Sequence, residues 1–257
     1  MNKILSVKNL QKIYEGKMSH TALSNVSFDM EKGEFTAVMG PSGSGKSTLL
    51  QVISTIDSPT SGNVYINGKN PHTLSQEELA SFRRSQLGFI FQDFNLIHTL
   101  TVEENIMLPL SLENVPAKEI RKRTKNIAEY LGISKLLPKR TFEISGGQAQ
   151  RVAAARALVH NPSLILADEP TGNLDSKATN DVMKLLKELN RKMDSTILMV
   201  THDAYVASMC GRVLFIKDGR LYQEMTAGDS QTQFYQNILD MLTFLGGGQN
   251  DIASNRI

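Results

Sequence analysis

The chain has 257 residues, 40% of them hydrophobic and 21% charged, with a formal net charge of +2. That length buries a full core, as one globular unit or as a large core with a smaller inserted lobe. The charge is too small to argue for nucleic acid or a membrane surface, and no apolar run approaches the roughly 18 residues of a membrane span. The start, MNKILSVKNLQKIYEGK, interrupts its apolar residues with Lys, Asn and Gln, unlike a signal peptide. Cys210 is the single cysteine, which excludes an intrachain disulfide and a cysteine zinc cluster. The reading is a soluble chain in a reducing compartment.

In chain order, the first ~60 residues read as short strands between turns. Residues 4–7 alternate weakly, residues 26–30 end at the turn Lys32-Gly33, and residues 34–39 form an apolar run that stops at Gly40. A helix is predicted from near Gly45, turning Leu49, Leu50, Val52 and Ile53 inward and ending at Pro59, Ser61 and Gly62. Residues 63–66 with Asn67-Gly68 look like a hairpin edge.

Between about 101 and 158 the apolar spacing becomes helical. Residues 118–133 place Ile120, Ile127 and Leu131 on one face, with Gly132 near the end, and the basic run 121–125 is read as a solvated face. After Asn161-Pro162 the strand pattern returns. Residues 163–167 and 196–200 are continuous apolar strands of a sheet covered on both faces, separated by a helix over 178–192. Residues 213–217 and 220–224, joined by Asp218-Gly219, form a closing hairpin. An amphipathic segment, 233–245, follows with Gly246-Gly247-Gly248, and it lies outside the core pattern. Strands alternating with helices predict an α/β fold, and the helical middle predicts an inserted lobe.

The strongest chemical signal is Gly40-Pro41-Ser42-Gly43-Ser44-Gly45-Lys46-Ser47, followed by Thr48. It fits the phosphate-loop pattern G-x-x-x-x-G-K-S/T, after a strand and before a helix. Glycine lets the backbone curl so that successive N–H groups face one phosphate cluster, and the helix N-terminus adds positive charge. Lys46 would bridge the β- and γ-phosphates and the Ser47 hydroxyl would ligate Mg²⁺. Asp168-Glu169 ends an apolar strand, where α/β sheets bind ligands. There Asp168 would hold Mg²⁺ through water, and Glu169 would act as general base. Gln92 sits at the junction with the helical lobe, where its amide would sense Mg²⁺ and the attacking water. Ser145-Gly146-Gly147-Gln148 is a Ser/Gly turn opening a helix over 150–158, a second anion-binding N-terminus. His202 follows the strand at 196–200, at the edge expected to face the γ-phosphate.

With Asn173-Leu174-Asp175 added, these motifs occur in one order, and from about residue 3 to 225 the chain resembles the nucleotide-binding domain of ABC transporters. The resemblance implies a P-loop NTPase core (1–92 and 160–228), an inserted α-helical subdomain (93–159), an antiparallel β edge and a C-terminal extension (229–257). It implies ATP and Mg²⁺ as cofactors and hydrolysis with Glu169, His202, Gln92 and Lys46 as the catalytic set. It further implies a head-to-tail dimer of two copies, each ATP lying between one P-loop and the other copy's Ser145-to-Gln148 turn. Tyr14 resembles the aromatic that stacks on adenine, and Asp175 the residue that couples the two sites. A separate multi-span permease would bring the chain to the cytoplasmic face of the membrane. No nucleic acid is implied.

Thr55-Ile56-Asp57, the segments 91–96 and 99–106, and the stretch 167–175 are similar to the branch of lipoprotein-release, macrolide-export and peptide-antibiotic-resistance ATPases. Within it, Phe234, Leu245 and Gly246-Gly247 resemble the bacitracin-type resistance and sensing systems, in which a sensor histidine kinase works through the permease. Ala149 departs from the long polar residue usual after this signature, a change expected to touch only the surface of the helical lobe. A soluble ABC ATPase in cofactor assembly, or a lipoprotein- or macrolide-type system, is the alternative.

Overall fold

The computed structural model describes residues 3–16 and 18–246. The chain begins with β1 (Lys3–Tyr14), β2 (His20–Glu31), β3 (Phe35–Met39), α1 (Lys46–Ile53), β4 (Ser61–Ile66), α2 (Gln76–Gln86) and β5 (Leu87–Phe91). Three helices follow: α3 (Val102–Ser111), α4 (Ala117–Tyr130) and α5 (Gly146–Leu158). Then come β6 (Leu164–Asp168), α6 (Ser176–Met193), β7 (Thr196–Val200), α7 (Ala204–Ser208), β8 (Arg212–Lys217), β9 (Arg220–Thr226) and α8 (Gln231–Gly246).

Two sheets result. One is antiparallel, in the order β2-β1-β4; the other runs β5-β6-β7-β3-β8-β9 and is parallel except for β9 at its edge. Side chains alternate across a strand, so each parallel strand feeds two cores. Val38, Leu166, Leu198 and Leu214 face the antiparallel sheet and α1. Their neighbours Ala37, Ala167, Met199 and Phe215 face the helices α3 to α8. Burial on both faces explains why these strands read as unbroken apolar runs.

Several expectations change. The first two strands are each 12 residues long rather than short. α1 turns the four anticipated residues inward but ends at Ile53, well before Pro59, because Thr55 takes a left-handed conformation with φ 64°. β4 pairs with β1, and around Asn67-Gly68 only the isolated bridge Ile66–Lys69 forms. α2 was not anticipated: it buries only Phe82, so its apolar period is faint, although Ser75 and Glu78 make a capping box at its start. α5 opens at Gly146, not Gln150, since Ser145 caps it.

The C-terminal segment belongs to the core rather than lying outside it. Phe234, Ile238 and Leu245 are buried in the cluster that also holds Phe215 and Met199, and Tyr235 meets Tyr205 of α7 edge to face at 6.4 Å. Gly247, Gly248 and the polar end lie outside the described residues. Phe234 is 3% exposed and Phe244 63%. Phe234→Ala is therefore expected to cost about 3 kcal/mol in denaturant unfolding, and Phe244→Ala only about 0.5 kcal/mol; equal costs would show that α8 is not part of the core.

Candidate functional site

The parallel strands end level with one another. Phe91 pairs with Asp168, Asp168 with Val200, and Val200 with Val38, in a single row across β5, β6, β7 and β3. The residues just beyond that row are Gln92, Glu169, Thr201 with His202, and Met39 with Gly40. Register alone thus brings four of the sequence motifs to one sheet edge, the place where α/β folds bind ligands.

The loop from Gly40 to Gly45 turns sharply into α1. A Cβ on Gly40 would stand 2.0 Å from the Ile216 carbonyl oxygen, and one on Gly45, where φ is 103°, would stand 2.4 Å from that of Ala22. Any side chain at either position would push the loop off its neighbours. Gly45 supplies no side-chain cap to α1 and no acidic residue occupies the first turn, so the backbone N–H groups there are free to meet an anion. The Lys46 ammonium donates to the carbonyl oxygens of Gly40 (2.9 Å) and Pro41 (2.8 Å), which folds it over its own loop. Burial lowers the Lys46 pKa, and the nearby Glu169 charge works in the opposite direction. Gly43, Ser44, Gly45, Lys46, Ser47 and Thr48 line a cleft of about 220 Å³, which Tyr14, His20 and Ala22 complete. The buried Ser44 hydroxyl has no hydrogen-bond partner among the described residues.

On the neighbouring strands, burial raises the Asp168 pKa, and the adjacent Glu169 charge adds to the effect. Glu169 takes φ 43° and donates its N–H to the Val200 oxygen at 3.0 Å. Its carboxylate lies 2.7 Å from His202 Nδ1, and the pair lines a pocket of about 240 Å³ with Thr201, Asn180 and Tyr205. The Gln92 amide donates to Asn173 Oδ1 (3.2 Å), and Asn173 donates in turn to Asp93 Oδ1 (2.8 Å). Gln92 is thereby tied to the loop that follows Glu169. Ser47, Asp168 and Gln92 offer only oxygen donors. That chemistry suits Mg²⁺, which takes few protein ligands beside phosphate and water.

The remaining motif is elsewhere. Ser145 Oγ accepts from the Gln148 N–H (3.4 Å), and Gln148 Oε1 accepts from the Ser145 N–H (3.0 Å), forming a reciprocal cap. Ser145, Gly146, Gly147 and Gln148 line a cavity of about 840 Å³ together with Asp175. Asp175 Oδ1 also accepts from the Ala178 N–H at 2.8 Å, capping α6. Among the described residues, this cavity shares none with the phosphate-loop cleft and only Leu174 with the Glu169 pocket. Ala149, expected at the lobe surface, is instead buried at 6% exposure.

Sequence reasoning missed the groups that set the loops. Arg156 donates to the carbonyl oxygens of Phe94 (2.8 Å) and Asn95 (2.5 Å), holding two consecutive left-handed residues after Gln92. The buried Gln150 donates to the Pro170 oxygen at 2.6 Å, below Glu169. Both contacts are to backbone oxygens, which leave no residue-type signal.

A parallel sheet with a phosphate loop after one strand and an acidic pair after another two places away defines a P-loop nucleotide-binding fold. The family model described as "ABC transporter" matches residues 23–172. The chain is 60% identical over 257 residues to the ABC transporter ATP-binding protein YxdL of Bacillus subtilis, covering all of both chains. It is 49% identical to the bacitracin export ATP-binding protein BceA of Halalkalibacterium halodurans, over 96% of this chain and 99% of that one. A dimeric structure of the ATP-binding cassette MJ0796 bound to ADP and Pi superposes with a TM-score of 0.79 at 43% identity, over 87% of this chain and 99% of that one. The chain belongs to the ATP-binding subunits of ABC transporters, a family of ATPases.

Burial at Asp168 has a cost. A carboxyl whose folded pKa is raised adds stability below its unfolded pKa and loses it as pH rises through the folded value. At neutral pH the Asp168 carboxylate therefore opposes folding. Asp168→Asn should raise the melting temperature at pH 7 and leave it unchanged below about pH 3.5. A lower melting temperature at pH 7 would contradict this.

Proposed function

We propose that two copies of this chain close head to tail around two ATP molecules and hydrolyse them to drive a separate membrane permease. The observation that carries the reading is the separation, within one chain, of the phosphate-loop cleft from the Ser145-to-Gln148 helix start. Each is an anion-binding terminus of a helix, and only a second copy lets both face one triphosphate.

In this arrangement Tyr14 stacks on adenine and the loop N–H groups from Gly40 through Thr48 wrap the phosphates. Lys46 exchanges its two carbonyl partners for the β- and γ-phosphate oxygens. Ser47, Gln92 and Asp168 would hold Mg²⁺, which would supply positive charge to offset that of the phosphates. Glu169 takes the proton of the attacking water. His202, bonded to Glu169 through Nδ1, fixes the carboxylate and turns its other nitrogen toward the γ-phosphate. Asp175 lies beside the signature turn, where it can report one site to the other.

The permease partner is supported by a surface groove of about 350 Å³ beside the segment after Gln92. Phe89, Phe91, Leu108, Pro109 and Leu112 give it apolar walls, and Arg84 and Arg156 border it. Among the described residues no helix is long and apolar enough to cross a membrane, so attachment at the cytoplasmic membrane face would come through that partner. Residues 93–159 act as the lobe that carries the signature turn and, together with β5 and α2, walls the groove. The name of the BceA relative supports antimicrobial peptides as the molecules exported, with sensing through a histidine kinase as a further task of the same complex.

Glu169→Gln should retain ATP binding, lower hydrolysis at least about 100-fold, and accumulate an ATP-dependent dimer in size-exclusion chromatography. A variant that hydrolyses at the native rate would remove Glu169 as the base. Affinity purification of the chain from detergent-solubilised host membranes should yield a multi-span permease; a soluble partner in its place would overturn the transport reading.

A further inference from the structure

The segment Thr55-Ile56-Asp57 has no part in the phosphate chemistry, yet it is held with unusual care. Thr55 is β-branched and left-handed, a costly conformation that its surroundings must enforce. Arg83 of α2 enforces it, with Nε donating to Thr55 Oγ1 at 2.7 Å and the other end of the guanidinium donating to the Thr55 carbonyl oxygen. The Asp57 N–H is fixed on the Gln51 oxygen of α1 at 3.1 Å.

What this turn presents is the Asp57 carboxylate, and both of its oxygens are taken by β1. Oδ1 accepts from Lys12 Nζ at 2.6 Å, and Oδ2 accepts from the Tyr14 hydroxyl at 2.9 Å. Lys12 also donates to the Ser58 oxygen at 2.8 Å, and its ammonium lies 4.8 Å from the centroid of the Tyr14 ring. Tyr14 lines the phosphate-loop cleft whereas Lys12 does not. The lysine packs against the ring, and the hydroxyl bond stops the ring from swinging.

We propose that Asp57 is a positioning residue for base recognition, holding the Tyr14 ring at a set distance from the phosphate loop. The proposal rests on the reading that Tyr14 stacks on adenine. Its physical content is a ruler. α1 starts at Lys46 and runs eight residues, about 12 Å, and Asp57 hangs from its far end. One rigid helix thus carries the phosphate-binding residues at its start and the tether of the base platform just past its end.

The tether predicts a selective loss. Asp57→Ala and Tyr14→Phe should each weaken ATP binding about five- to tenfold, the net worth of one hydrogen bond at an exposed site. The double variant should be no weaker than Asp57→Ala alone, because both changes remove the same contact. Inorganic tripolyphosphate, which has no base, should bind all three as it binds the native chain. Titration calorimetry with ATP and with tripolyphosphate reads every arm, and Tyr14→Ala serves as reference. If Tyr14→Ala loses ATP affinity while Asp57→Ala and Tyr14→Phe do not, the tether is wrong and the stacking reading stands. If Tyr14→Ala binds ATP normally, the stacking reading falls and the tether with it. If Asp57→Ala weakens tripolyphosphate as much as ATP, Asp57 supports the phosphate loop and not the base, which also overturns the proposal.

Discussion

The interaction on which the rest depends is the level ending of four parallel strands. Phe91, Asp168, Val200 and Val38 share one row of backbone pairing, so the next residue or two of each strand must emerge side by side. None of the four motifs needs a long-range contact of its own to reach the site. The row is held by burial on both faces of the sheet, and a slip of one residue in any strand would exchange the two cores. Catalytic geometry and core packing are in this sense one constraint.

The charges at that edge are arranged against one another. Lys46 loses water and leans toward neutrality, with Glu169 opposing that drift, while Asp168 is pushed toward its neutral form by burial and by Glu169. A cation and two carboxylates at a half-buried edge form a site that is electrostatically incomplete by itself, and on the proposed function polyphosphate with a divalent ion would supply both missing signs. The stability lost in gathering them is the usual cost of a functional site.

Legibility in the sequence divided along physical lines. The strand at 196–200 coincides with β7, because a five-residue apolar run bounded by polar residues leaves little choice. The inward face of α1 was equally plain. α2 and α7 were not read, one because it buries a single phenylalanine and the other because it has only five residues. The amphipathic pattern of 233–245 announced a surface to be covered but could not say by what, and the answer is this chain's own α7. The phosphate loop and acidic pair were visible as residue types at fixed spacing. Arg156 and Gln150 were not, since they act on carbonyl oxygens that every residue carries.

Placing the phosphate loop and the signature turn in different cavities also makes damage at the two places complementary rather than equivalent. On the proposed dimer, a copy broken only at Lys46 still offers its partner a sound Ser145 turn. A copy broken only at Ser145 still offers a sound phosphate loop. Paired together, the two concentrate both faults in one composite site and leave the other whole. In genetic terms the lesions belong to one gene and yet can rescue each other, whereas two copies with the same lesion cannot.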